Sequence, residues 1–77
     1  MKVKNKIRII EAVKFTQEMA NEDRLPPGVK KVAPNIFVCM TLEGPVYARV
    51  GSWIMTGIHG ENWPVRDDIF HETYEAI

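Results

Sequence analysis

Seventy-seven residues make one small domain spanning 1–77, and such a chain buries only about 60% of the surface its unfolded form exposes, so a large enclosed substrate cavity is not expected. Ten lysines and arginines balance ten aspartates and glutamates, and zero net charge excludes a surface built throughout to capture nucleic acid or anionic lipid. Cys39 is the only cysteine, which excludes an intrachain disulfide, a four-cysteine zinc site and a CxxC redox pair.

The lone cysteine fits a reducing compartment. No apolar run of signal-peptide length follows the basic N-terminus, and none approaches the roughly 20 residues of a membrane span. The expectation is a soluble cytoplasmic protein with no membrane partner.

From Val3 to Phe15 the residues alternate, with Val3, Ile7, Ile9, Val13 and Phe15 on one parity and Lys2, Lys4, Lys6, Arg8 and Lys14 on the other. Period two with β-branched residues predicts a half-buried strand. Ile10 on the basic face and Glu11 on the apolar face break the pattern, which predicts either a bulge near Ile9 and Ile10 or an inward Glu11 needing a partner. The basic stripe is read in two ways, as a solvated strand face that resists aggregation or as a ridge for phosphates. The first is the simpler.

Thr16 to Arg24 predicts one or two helical turns, with Thr16 as the cap and Glu18 in the first turn. Leu25-Pro26-Pro27-Gly28 stops it. Val29 to Leu42 starts extended, is interrupted at Ala33-Pro34-Asn35, and resumes as a central strand over Ile36 to Leu42. Glu43-Gly44-Pro45 reads as a turn into a strand over Val46 to Val50, the second arm of a hairpin. Gly51 precedes a strand at Trp53 to Thr56. Gly57-Ile58-His59-Gly60 turns the chain so that Glu61 to Trp63 pairs back, with Pro64 ending that strand.

Asp67 and Asp68 precede Ile69-Phe70-His71-Glu72, and carboxylates at that place accept N–H groups and complement the dipole of a short helix. Ile69 or Phe70 then shares a face with Tyr74, and Thr73 to Ile77 is read as a possible final strand. Opposite charges gather near the two ends, so paired terminal strands would gain weak ion pairs.

The stretch from Arg49 to Tyr74 holds both tryptophans and three of the five glycines. It reads as the folding core. Its His59, Glu61, Asp67, Asp68 and His71 match neither HExxH nor an EF-hand loop, so turn and cap roles explain them and no metal is expected. Cys39 lies in the most apolar strand and reads as an inert core thiol. The glycine turn lacks the Lys-Ser/Thr and the strand-to-helix context of a phosphate loop. No catalytic residue and no cofactor emerge. Trp53, Trp63, Tyr47, Arg49 and Arg66 are the candidates for contact with another protein, since an exposed aromatic flanked by arginine makes a good anchor.

Gly51-Ser52-Trp53-Ile54, Gly57-Ile58-His59-Gly60-Glu61, Trp63-Pro64-Val65, Asp68-Ile69-Phe70 and Thr73-Tyr74-Glu75 together resemble the C-terminal signature of small phage and prophage proteins of the PGDYG type. Glu11-Ala12 before Phe15 resembles that family's first strand. Val50, Ser52 and Trp53 stand where the family has proline, aspartate and tyrosine, so no role of that aspartate carries over. The resemblance implies a compact β-rich domain from a phage or prophage gene, and it supplies no reaction.

The expected fold is α+β and β-rich, with four to five mostly antiparallel strands in a curled sheet or partial barrel and one or two short helices. The expected function is that of a non-enzymatic accessory protein binding a host protein, a phage protein or a copy of itself. The alternative is a nucleic-acid-binding module using Lys2, Lys4, Lys6 and Arg8.

Overall fold

The computed structural model describes residues 1–3 and 8–77. In chain order the elements are β1 (Glu11–Lys14), α1 (Gln17–Asn21), β2 (Val29–Ala33), β3 (Ile36–Thr41), β4 (Gly44–Tyr47), β5 (Trp53–Thr56), β6 (Asn62–Val65) and α2 (Asp67–Thr73). The strands form two three-stranded sheets, ordered β1-β5-β6 and β2-β3-β4, and every pairing is antiparallel. The chain is therefore α+β and β-rich. Among the described residues there are six strands in two sheets that do not close on one another, where four to five were expected.

The extra strand arises at Pro34-Asn35. Asn35 takes a positive φ of 60°, a conformation that asparagine tolerates better than most residues, so the expected interruption becomes a reversal and the two halves pair. The register shift falls between Lys31 and Ala33 on β2.

The core lies between the sheets. Phe15, Val29, Phe37, Cys39, Ala48 and Ile54 are buried there with Ala20 of α1, and Met19 and Leu25 pack against the cluster. Phe15 meets Phe37 edge to face at 5.1 Å, a geometry favoured by the ring quadrupoles. Thr16 caps α1 as expected, its hydroxyl accepting from Met19 N–H at 3.2 Å.

Alternation gives each sheet a second face. Trp53 and Met55 point away from Ile54, and Met55 is nevertheless only 1% exposed. Phe70 of α2 stacks on Trp53 at 4.0 Å and an interplanar angle of 7°. Thus α2 lies against the β1-β5-β6 sheet, whereas among the described residues no helix lies against the outer face of β2-β3-β4.

Several boundaries differ from expectation. β1 begins only at Glu11, because β5 offers four partners from Trp53 to Thr56 and then turns; Val3 and Ile9 are exposed. Glu11 pairs with Thr56 and is itself exposed, so it needs no buried partner. Residues 4–7, on which part of the predicted strand and stripe falls, lie outside the described residues.

Leu42 and Glu43 alone form the turn between β3 and β4, and Gly44-Pro45 belongs to β4. That strand stops at Tyr47 instead of Val50. Pro64 lies within β6 and does not end it. Gly57 N–H donates to Glu61 C=O at 2.9 Å, and the alternation of an antiparallel ladder then puts Pro64 opposite Ile54 at a position that needs no N–H.

Residues 74–77 form no strand, so the terminal strands with cross-strand ion pairs do not occur among the described residues. The two ends do meet, across an open cleft lined by Ile9, Ile10, Tyr74 and Ile77 among others.

Cys39 is fully buried, and burial pushes its thiol pKa up. A maleimide reagent is therefore expected to label Cys39 only as fast as the chain unfolds, with labelling becoming rapid in strong denaturant. Rapid labelling in buffer would contradict the core placement.

Candidate protein-binding surface

Ala48 fixes the site from below. It is buried, and its N–H donates to Phe37 C=O at 3.0 Å, so the chain beyond β4 is held to the core at this point and Arg49-Val50-Gly51 form a turn above it. Ser52 closes that turn, its N–H and its hydroxyl both donating to Arg49 C=O, at 3.1 and 2.5 Å. Gly51 N–H donates to Phe15 C=O at 2.7 Å and Phe15 N–H to Ser52 C=O at 2.8 Å, which ties the turn to the end of β1. Arg49 is thereby carried on a braced backbone.

Tyr47 stands beside it, 74% exposed. Tyr47, Arg49, Ser52, Pro64, Val65 and Arg66 line one open groove of about 600 Å³. A second depression of about 520 Å³ continues from Tyr47 and Arg49 toward Ile36. Three of the five predicted contact residues thus share one surface.

The two arginines differ in state. Arg66 forks onto Asp68, with Nε donating to Oδ1 at 3.1 Å and Nη2 to Oδ2 at 2.5 Å. The bond from Arg66 holds the Asp68 carboxyl below the usual carboxylate range and raises the guanidinium in turn. Arg49 has no ion-pair partner among the described residues. A planar guanidinium in that state is suited to a carboxylate or an aromatic ring from outside.

The tryptophans lie elsewhere. Trp63 is half-buried beside Thr41, Leu42, Val46 and Glu61, in a different groove. Trp53 is half-buried under Phe70, and its indole N–H donates to Asp67 Oδ1 at 2.8 Å. Lys14 Nζ and His71 Nε2 approach the same oxygen at 3.5 and 3.2 Å. Asp67 therefore fastens α2 to the sheet. Both carboxylates stand in the first turn of α2, and Asp68 Oδ1 accepts from Ile69 N–H at 2.9 Å as expected; the helix begins earlier than expected, with Arg66 as its N-cap and no side-chain cap bond there.

The Trp53 hydrogen bond, with Lys14 and His71, holds the Asp67 carboxyl below its ordinary range. A lowered folded-state pKa stabilises above the unfolded value of about 3.9 and is lost as pH falls through the folded value. Indole fluorescence is accordingly expected to shift on acidification below about pH 4, with Asp67→Asn showing the neutral-side change already at pH 7. An acid transition identical in both proteins would contradict the fastening role.

The acidic and imidazole residues weighed for a metal separate in space. Asp67 and His71 pair with each other, Asp68 with Arg66, and Glu61 Oε1 accepts from His59 N–H at 3.4 Å in its own turn. Of the basic stripe, Lys2 is exposed and Arg8 borders the cleft between the chain ends, while Lys4 and Lys6 lie outside the described residues.

Sequence reasoning missed the neighbours of Tyr47 on β3. Ile36 and Met40 point outward from the second sheet and are exposed. Ile36 and Met40 alternate with buried Phe37 and Cys39, but in a uniformly apolar run the sequence does not mark which face is covered, and the run was read only as a central strand.

No protein-family model, curated protein or solved structure matches the chain. Among the described residues no helix is long and apolar enough to cross a membrane.

Proposed function

We propose that this chain is a phage or prophage accessory protein that acts without catalysis by binding another protein, through the surface around Tyr47 and Arg49. The phage assignment rests on the PGDYG-type resemblance of the last third of the sequence. The binding assignment rests on one observation, the exposed Tyr47 ring next to a guanidinium on a braced turn. Tyrosine and arginine are the residue types that most often dominate interface energy, because one supplies area at low entropic cost and the other directional charge. The Ser52 hydroxyl in the groove is committed to Arg49 C=O, so it serves the turn and not as an activated nucleophile.

The test is capture from bacterial lysate on the immobilised chain, with and without nuclease, alongside Tyr47→Ala and Arg49→Ala. Protein capture that survives nuclease and falls about tenfold or more in either variant is expected for hot-spot residues. Capture abolished by nuclease and by Lys4→Glu with Lys6→Glu would instead establish the nucleic-acid reading.

A further inference from the structure

We propose that the outer face of the β2-β3-β4 sheet docks a second copy of this chain, with Lys30 of each copy seated on the Tyr47 ring of the other. The inference rests on the protein-binding reading above and names its occupant.

Register fixes the pattern on this face. Lys30 pairs with Val38, and Val38 with Tyr47, so these three stand in one row across the sheet. Along the central strand Ile36, Val38 and Met40 share the face, since Phe37 and Cys39 point to the core. The face is thus an apolar column with a cation on one edge and an aromatic ring on the other.

That arrangement is complementary to itself. In an isologous dimer whose two-fold axis runs along β3, the column meets its own copy while each β2 lies over the other copy's β4. Lys30 then faces Tyr47 of the second copy, twice, in the geometry of a cation–π pair. The three strands contain no aspartate or glutamate, so no carboxylate within them competes for the lysine or opposes the tyrosine. Turning the axis across the strands would put Lys30 against Lys30, which like charge disfavours.

The same face leaves large apolar groups in water, with Ile36 and Met40 42% and 41% exposed and Tyr47 74%. Covering them with a second copy removes that surface from water.

The test is sedimentation equilibrium of the full chain from about 5 µM to 1 mM, with circular dichroism confirming the fold of each variant, against affinities typical of an interface of this size. The expected result is reversible association to twice the 8.8 kDa mass, weakened about tenfold or more in Tyr47→Lys, where two cations oppose. Mixing Tyr47→Lys with Lys30→Tyr is expected to restore association, because both cross-copy pairs are then lysine on tyrosine. A dimer indifferent to Tyr47→Lys, or a mixture that fails to recover, would overturn this geometry. A chain monomeric at every concentration that still captures a nuclease-resistant protein through Tyr47 would overturn the second copy as occupant while leaving the binding reading intact.

Discussion

Phe15→Ala is expected to remove a large share of the chain's folding stability. Phe15 is fully buried between the sheets, packs edge to face on Phe37, and its backbone joins β1 to the turn before β5. Removing a buried phenylalanine costs about 3–5 kcal/mol through lost transfer energy and the cavity left behind. At about 0.05–0.15 kcal/mol per residue, a chain of this length has only roughly 4–12 kcal/mol to lose. Urea denaturation followed by circular dichroism checks this, with Phe15→Leu, which keeps a branched apolar side chain in the site, expected to lose less than Phe15→Ala. A cooperative Phe15→Ala transition displaced by less than about 1 kcal/mol would show that the core is not centred on this ring.

The second large effect is expected from Gly28→Ala, at a position with no core side chain at all. Gly28 sits at φ +82°, and its carbonyl accepts from Met40 N–H at 2.8 Å. An added Cβ would stand 2.6 Å from Asn62 Oδ1 and 2.9 Å from Asn62 Cβ. Asn62 cannot easily yield, because its amide donates to Met55 C=O at 3.1 Å and to Thr56 Oγ1 at 2.8 Å. Strain of about 1–2 kcal/mol from the left-handed conformation adds to about 1–3 kcal/mol of overpacking where one sheet meets the other. The double variant with Asn62→Gly is expected to lose less than the two single losses added, since the clash is then relieved. Strict additivity in denaturation midpoints would contradict the contact.

Phe15 and Gly28 mark how far the sequence could be read. Phe15 was legible as an inward position of an alternating strand, and Thr16 as a cap, because both signals are local. Cys39 was legible for the same reason. The pairing of Gly28 with Asn62 was not, since it joins segments 34 residues apart in sequence and depends on how two sheets meet. Alternation could place Val3 and Ile9 on a strand, but it could not show that β5 provides only four partners.

The candidate surface was legible in its parts and not in its assembly. Tyr47, Arg49 and Arg66 were picked out as residue types, and the turn at Ser52 with the buried Ala48 brings them to one groove. Trp53 and Trp63 were grouped with them because sequence cannot tell an anchor for a partner from an anchor for its own helix. Asp67, at fourteen residues' separation from Trp53, accepts its indole N–H and ties that ring to α2. Of the two described helices α1 packs on the core between the sheets and α2 covers β1-β5-β6 through Trp53 and Phe70, and this is why the outer face around Ile36, Met40 and Tyr47 is left to water or to another molecule.

The most direct measurement of the central claim places photoactivatable benzoylphenylalanine at position 47 and, as a control, at position 59 in the glycine turn. Illumination in bacterial lysate is expected to give a nuclease-resistant protein adduct from position 47 and not from position 59, with the adducted mass identifying the second copy or another protein. Equal adducts from both positions, or none from position 47, would contradict the account.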